Sequence, residues 1–253
     1  MLVKSGGYSD LPKKHVSQKY WRIGMRLSKY KLASIALNPF IGPVNTENFI
    51  SYIKNPYSRW EDEYGCIFVH VPKSAGKAVT LSLFGAPNGT GHNKITCYER
   101  YPEKFKNYRK VTVVRNPWDR LVSAFFYIKN FDKESNDRKF FDRYIGQKTE
   151  FRDFVMRLSD YDYRNVVFRW QHFAPQYKFL VNRSGSIDFD FIGRFENLKK
   201  DYEVLKSIVN PSAGELKKVN SSKRDNYKLY YDDEMVDIVR RIYHFDVELF
   251  KYD

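Results

Sequence analysis

Cysteine is nearly absent: Cys66 and Cys97 are the two in 253 residues. One opens an apolar run and the other lies in a polar region, so two free thiols in a reducing compartment are expected, and no spacing asks for a disulfide. Long apolar runs are missing as well. The longest near the N-terminus, LASIAL at 32–37, is too short and too late for a signal peptide. Nothing approaches the roughly 20 apolar residues that span a bilayer. A soluble cytoplasmic protein with no transmembrane segment is the default reading, with a luminal catalytic domain as the alternative if the sequence is a piece of an anchored chain. Clustered Cys/His sets and paired carboxylates at ligand spacing are lacking, so no metal is expected. No zinc-finger spacing or sequence-reading helix motif occurs, which argues against a specific nucleic-acid partner. Acidic residues are outnumbered, 30 against 44 Lys and Arg, for a net charge of +14. Such a surface favours polyanions, and composition does not choose among nucleic acid, an acidic membrane face, an anionic glycan and a nucleotide.

What is present is 42% hydrophobic and 17% aromatic composition, enough to bury one good core. The basic excess is uneven: residues 1–60 carry a net +8 and the rest +6. Lys13, Lys14, Lys19, Arg22, Arg26, Lys29 and Lys31 hold most of it. Residues 1–60 read as a loop-rich, partly helical N-terminal extension packed on the core, and 61–253 as the catalytic domain. The basic segment is either a solvated face or an element that binds the acceptor or a surface.

The chain is organised around CIFVHVPKSAGKA at 66–78. Apolar residues over 67–71 suit a strand buried on both faces of a parallel sheet. Lys73, Ser74, Gly76 and Lys77 crowd the turn that follows, and a helix is predicted over 77–84. A strand–turn–helix of this kind aims several backbone N–H groups at one spot, with two lysines beside them, which suits a phosphate. It is not a Walker A loop, because Val71 and Ala78 stand where that motif needs Gly and Ser or Thr.

Residues 86–96, with Pro87, Gly89, Gly91 and His92, read as a loop crossing the mouth of the site. A second buried strand is predicted at 111–114. It ends at RNPWDR, where Asn116 can cap a helix whose first residue is Pro117. The charged stretch 132–148 reads as a surface excursion. Helices are predicted around 150–158 and 198–209, with a short strand at 189–193 between them. A last helix has Met235, Ile238, Val239, Ile242 and Phe245 on its apolar face and Asp232 as cap. Alternating strands and helices give an α/β single domain with a mainly parallel central sheet flanked by helices, and ligands in such folds bind beyond the carboxyl ends of the strands.

Taken in order, VPKSAG at 71–76, RNPWDRLVS at 115–123, Pro175 and Gln176, IGRFENL at 192–198 and NSSKR at 220–224 leading to Tyr230, Tyr231 and Asp232 resemble the Golgi-type carbohydrate sulfotransferases and their bacterial relatives. The resemblance covers about residues 66–253. It implies a P-loop-like nucleotide-binding sulfotransferase fold and 3'-phosphoadenosine 5'-phosphosulfate (PAPS) as sulfuryl donor, with PAP released. It implies that Lys73, Ser74, Ala75, Gly76, Lys77 and Ala78 grip the 5'-phosphosulfate and that Arg115 and Ser123 hold the 3'-phosphate, with Arg224 as a further contact. Arg120 is either another ligand contact or a structural ion-pair partner. Lys77 departs from the family, which usually has Ser or Thr there.

The catalytic histidine implied by the resemblance is His92, whose imidazole suits proton removal from a sugar hydroxyl. Glu99 and His172 are the alternative bases, and His70, bracketed by strand residues, reads as a hydrogen-bonded interior group. Lys73 and Lys77 would neutralise developing charge. Arg120, Trp170, His172 and Tyr177 are candidate acceptor contacts. The partner implied is a carbohydrate hydroxyl, with acidic oligosaccharides or polysaccharides among the candidates. Two rival classes remain: a nucleotide-dependent phosphotransferase, and an inactive basic protein that binds glycan or nucleic acid.

Overall fold

In a computed structural model of the chain, the described residues are 54–86, 91–131, 135–218 and 225–253, with isolated positions between 33 and 49. Most of the basic N-terminal extension and Arg224 lie outside them. Three strands form one parallel sheet in the order β1 (Cys66–Val69), β2 (Arg109–Val114), β3 (Phe191–Arg194). Phe68 is level with Val111, and Val111 in turn with Phe191. The strand expected at 67–71 ends two residues early, because the Val71 amide turns back to the Val69 carbonyl.

Alternation along the strands divides their side chains between two layers. Ile67 and Val69 join a core with Leu121, Val122 and Phe125, whereas Cys66 and Phe68 pack with Val79, Leu83, Tyr202 and Leu205 on the other face. Parallel neighbours need crossovers, and helices supply them. After α1 (Arg59–Tyr64), the crossover from β1 to β2 runs through α2 (Gly76–Phe84), α3 (Ile95–Tyr98) and α4 (Pro102–Asn107). From β2 to β3 it runs through α5 (Pro117–Lys129), α6 (Asn136–Tyr144), α7 (Phe151–Arg157), α8 (Tyr161–Phe168) and α9 (Tyr177–Leu180). After β3 come α10 (Leu198–Val209), α11 (Asp233–Ile242) and α12 (His244–Leu249). The expected caps are in place. Asn116 accepts from the Trp118 and Asp119 amides ahead of Pro117, and Asp232 accepts from the Met235 amide.

Two expectations need correction. The charged stretch expected as a surface excursion is, from residue 135 on, no such thing: Ser135 caps α6, and Phe140 and Phe141 are fully buried in the main core. Lys139, Asp142, Arg143 and Lys148 are exposed, Arg138 pairs with Asp142 one turn on, and Asp137 turns inward, so a high charge count conceals a narrow apolar face. The last helix is interrupted at Tyr243, whose buried ring and hydroxyl bond to the Phe173 carbonyl redirect the chain, and Phe245 is left 46% exposed. Both cysteines are free thiols. Among the described residues, no helix is long and apolar enough to cross a membrane.

Candidate active site

Between β1 and α2 the backbone makes an unusual turn. Lys73 and Ala75 have φ of 69° and 60°, a left-handed conformation rare outside glycine. Left-handed residues flanking Ser74 directly before a helix make a turn of the kind that can form a concave anion site, and the Ser74 amide within it is bonded to the Val71 carbonyl. Strain of this kind, of order 1–3 kcal/mol per residue, persists only where the surroundings over-determine it. Here two arginines do so. Arg120, 2% exposed, donates through Nε to the Pro72 carbonyl and through Nη2 to the Ala174 carbonyl, both at 2.9 Å. Arg115 donates from Nη1 to the Lys73 carbonyl at 2.9 Å, pairs with Asp119 at 2.8 Å and stacks 3.8 Å over the Phe195 ring.

Gln176 ties the loop to the sheet. Its side chain accepts from the Arg115 amide (2.9 Å) and donates to the Arg115 carbonyl (2.8 Å), and Ser74 Oγ donates to the same amide oxygen at 3.4 Å. Buried Asp246 in turn accepts from the Gln176 and Tyr177 amides. Its charge also faces Arg120, although burial raises the carboxyl above its ordinary range. Gly76 has a separate reason to be glycine: a Cβ there would lie 1.8 Å from Cδ2 of the His70 ring.

Three histidines meet beside this loop. The His70 and His92 rings are 4.2 Å apart and those of His92 and His172 5.7 Å apart. His92 Nδ1 lies 3.0 Å from the His70 carbonyl. A carbonyl only accepts, so Nδ1 carries the proton and the lone pair is on Nε2. Loss of solvation, reinforced by His172, pushes His92 down to about 3, so its ring is neutral at physiological pH. His172 Nε2 donates to Asp137 Oδ1 at 3.1 Å, and Trp170 Nε1 donates to the same oxygen at 2.9 Å. The Nδ1 atoms of His70 and His172 are buried without a hydrogen-bond partner. Burial drives the His70 pKa well below its ordinary value.

The positions singled out in the sequence scatter in an instructive way. Lys73, Ser74, Ala75, Gly76, Lys77 and Ala78 line the turn and the start of α2, with Lys77 exposed and Ser74 and Ala78 buried. Lys73 Nζ sits 3.4 Å over the Tyr127 ring. Ser123 is half-buried, one turn along α5 from Asp119 and one before Tyr127, on the stripe whose ends both engage the loop. His172 joins the cluster, and Tyr177 lies against Phe245 of α12. Arg120 and Trp170, 2% exposed each, do not present an acceptor surface: one guanidinium is spent on backbone carbonyls and the indole stacks 4.7 Å on Phe140. Glu99 holds the Arg183 amide instead of facing the histidines. Reading the residues one by one missed Asp119, Tyr127, Asp137 and Phe195. Asp119, four residues after Arg115, was visible as a charge pair; Asp137 carried no signal, because only folding carries α6 to the histidines. Among the described residues, no group of three or more His, Cys, Asp or Glu is arranged to hold a metal ion.

Comparison with known proteins places the sequence in a family. The sequence model described as the sulfotransferase family matches residues 56–253. An uncharacterised protein of Archaeoglobus fulgidus is 33% identical over 125 residues, covering 49% of this chain and 86% of that protein. Carbohydrate sulfotransferase 8 of Homo sapiens is 28% identical over 186 residues, covering 59% of this chain and 42% of its own, so the match spans less than half the length of the human protein. No solved structure matches the chain. With the family's pattern running from the residues before β1 to the last residue, the chain belongs to the sulfotransferase family.

Proposed function

We propose that this chain transfers a sulfuryl group from PAPS to a carbohydrate hydroxyl, releasing PAP. One observation carries the reading: the left-handed residues Lys73 and Ala75 curl the loop before α2 beside a histidine whose Nδ1 is already committed. The donor set fits an anionic nucleotide. Lys73, Lys77 and Arg115 are cationic, and Asp119, the carboxylate beside them, is paired with Arg115. Family membership and the name of the human relative supply the sulfuryl chemistry and the carbohydrate acceptor.

When bound, PAPS supplies a sulfuryl group activated by a phosphate leaving group. Residues 73–78 would hold its phosphosulfate and Arg115 and Ser123 its 3'-phosphate, with Arg224, outside the described residues, as a further contact. Arg115 also holds the Lys73 carbonyl, so the residue that recognises one end of the donor shapes the loop for the other. His92, its tautomer set by the His70 carbonyl, takes the proton of the acceptor hydroxyl on Nε2. Lys73 and Lys77 supply positive charge for the negative charge that develops on the leaving side.

The test is mass-spectrometric detection of sulfate transfer from PAPS to acidic and neutral oligosaccharides, with His92→Ala beside the parent. Turnover should fall by about 10²–10⁴-fold in the variant, with PAP affinity nearly unchanged. Near-parental turnover would remove His92 from the mechanism, and a thermal shift with ATP but not PAP would point to phosphoryl transfer instead.

A further inference from the structure

Asp137 has no place in the steps above, yet it is the carboxylate that favours a proton on His92. Burial opposes its charge, yet the His172 ring beside it and the bonds from His172 and Trp170 hold its carboxyl below the usual carboxylate range. A carboxylate only accepts, so His172 carries its proton on Nε2. Its other ring nitrogen, Nδ1, is sealed from solvent with no hydrogen-bond partner. His172 therefore lies, its Nε2 proton committed to Asp137, between that carboxylate and the His92 ring 5.7 Å away.

We propose that Asp137 and His172 are positioning residues for the proton transfer: the carboxylate fixes the His172 tautomer and provides, across that ring, the counter-charge to the imidazolium formed on His92. The bond made is Nε2–H of His92, the bond broken is the acceptor's O–H, and no other reactant is needed. The groups around His92 on every side agree with this role. His172 and, from the loop, Lys73 oppose a proton there, His70 from the end of β1 is kept neutral by burial, and the Tyr127 phenol from α5, against the His172 ring, is pushed up to about 12 and stays uncharged. Asp137, from α6, supplies the negative charge. The proposal rests on the sulfotransferase reading and specifies how its base can work despite its burial.

Asp137→Asn is the test, because the amide oxygen can still accept both ring N–H bonds while the charge is lost. In the full chain, kcat should fall about tenfold or more, KM and PAP affinity should stay within about twofold, and Asp137→Glu should recover part of the rate. In ¹⁵N NMR titrations the His92 midpoint should move to lower pH in Asp137→Asn. A rate loss without that movement, or an unchanged rate, would overturn the proposal. The same spectra report the His172 tautomer in the parent, and a proton on Nδ1 would overturn it even if the variant fails to fold. If the parent transfers no sulfate, the proposed function fails, while the movement of the His92 midpoint still decides whether Asp137 acts on that ring.

Discussion

Gly76→Ala offers a test in which helix propensity and packing call for opposite signs. Gly76 opens α2 without a left-handed φ, and glycine inside a helix costs roughly 0.5–1 kcal/mol relative to alanine, so propensity alone makes the substitution stabilising. Packing says otherwise. The new Cβ would meet His70 Cδ2 at 1.8 Å, Nε2 at 2.1 Å and Cγ at 2.6 Å, and the ring is 6% exposed with Phe68 and His92 against it. It has nowhere to swing. Overpacking of this kind costs about 1–3 kcal/mol, occasionally more. At about 2–4 °C of Tm per kcal/mol for a chain of this size, the net loss of up to about 2.5 kcal/mol left after the propensity gain is subtracted corresponds to a fall of up to about 10 °C. Differential scanning calorimetry of Gly76→Ala, His70→Ala and the double variant isolates the cause. Removing the ring should make room for the methyl group, so the double variant should be more stable than the sum of the singles by well over about 0.5 kcal/mol. A Gly76→Ala protein more stable than its parent, or additive singles, would refute the argument.

Two other perturbations probe the frame around the loop. Arg120→Met leaves the Pro72 and Ala174 carbonyls without their donor and removes the cation facing Asp246, so a loss of about 3–5 kcal/mol is expected in urea unfolding; parental stability would return Arg120 to the acceptor contacts. Glu61, buried in α1, has its pKa raised to about 7 by loss of solvation. A carboxyl raised in this way favours the fold most below its unfolded pKa, and that contribution is lost as pH climbs through 7. Glu61→Gln, which keeps the reciprocal cap with Ser58, should therefore gain Tm relative to the parent between pH 6 and 8; a pH-independent difference would contradict the assignment.

Much of this was legible in local pattern. The helix at Leu198–Val209 matches its predicted bounds because its apolar residues recur at helical spacing and Asn210 and Pro211 stop it. Asn116 before Pro117 and Asp232 before Asp233 acted as caps because capping depends on residues within one turn. The loop at 73–75 was recognisable by its residues, but its left-handed Lys73 and Ala75 were not, since neither residue type favours that conformation alone. Charge density misled at 132–148, where two adjacent phenylalanines outweigh the ions around them once a core is there to receive them.

By itself, the sequence determined the sulfotransferase pattern, the parallel strands and the cationic turn between β1 and α2, because these follow from short-range periodicity, capping and motif spacing. Only the tertiary structure decided that Arg120 braces carbonyls inside the wall, that Gly76 makes room for His70, and that Asp137 stands behind His172. Those roles depend on side chains brought together from 6 to 54 residues apart, where burial removes water as the alternative partner and makes each remaining contact count.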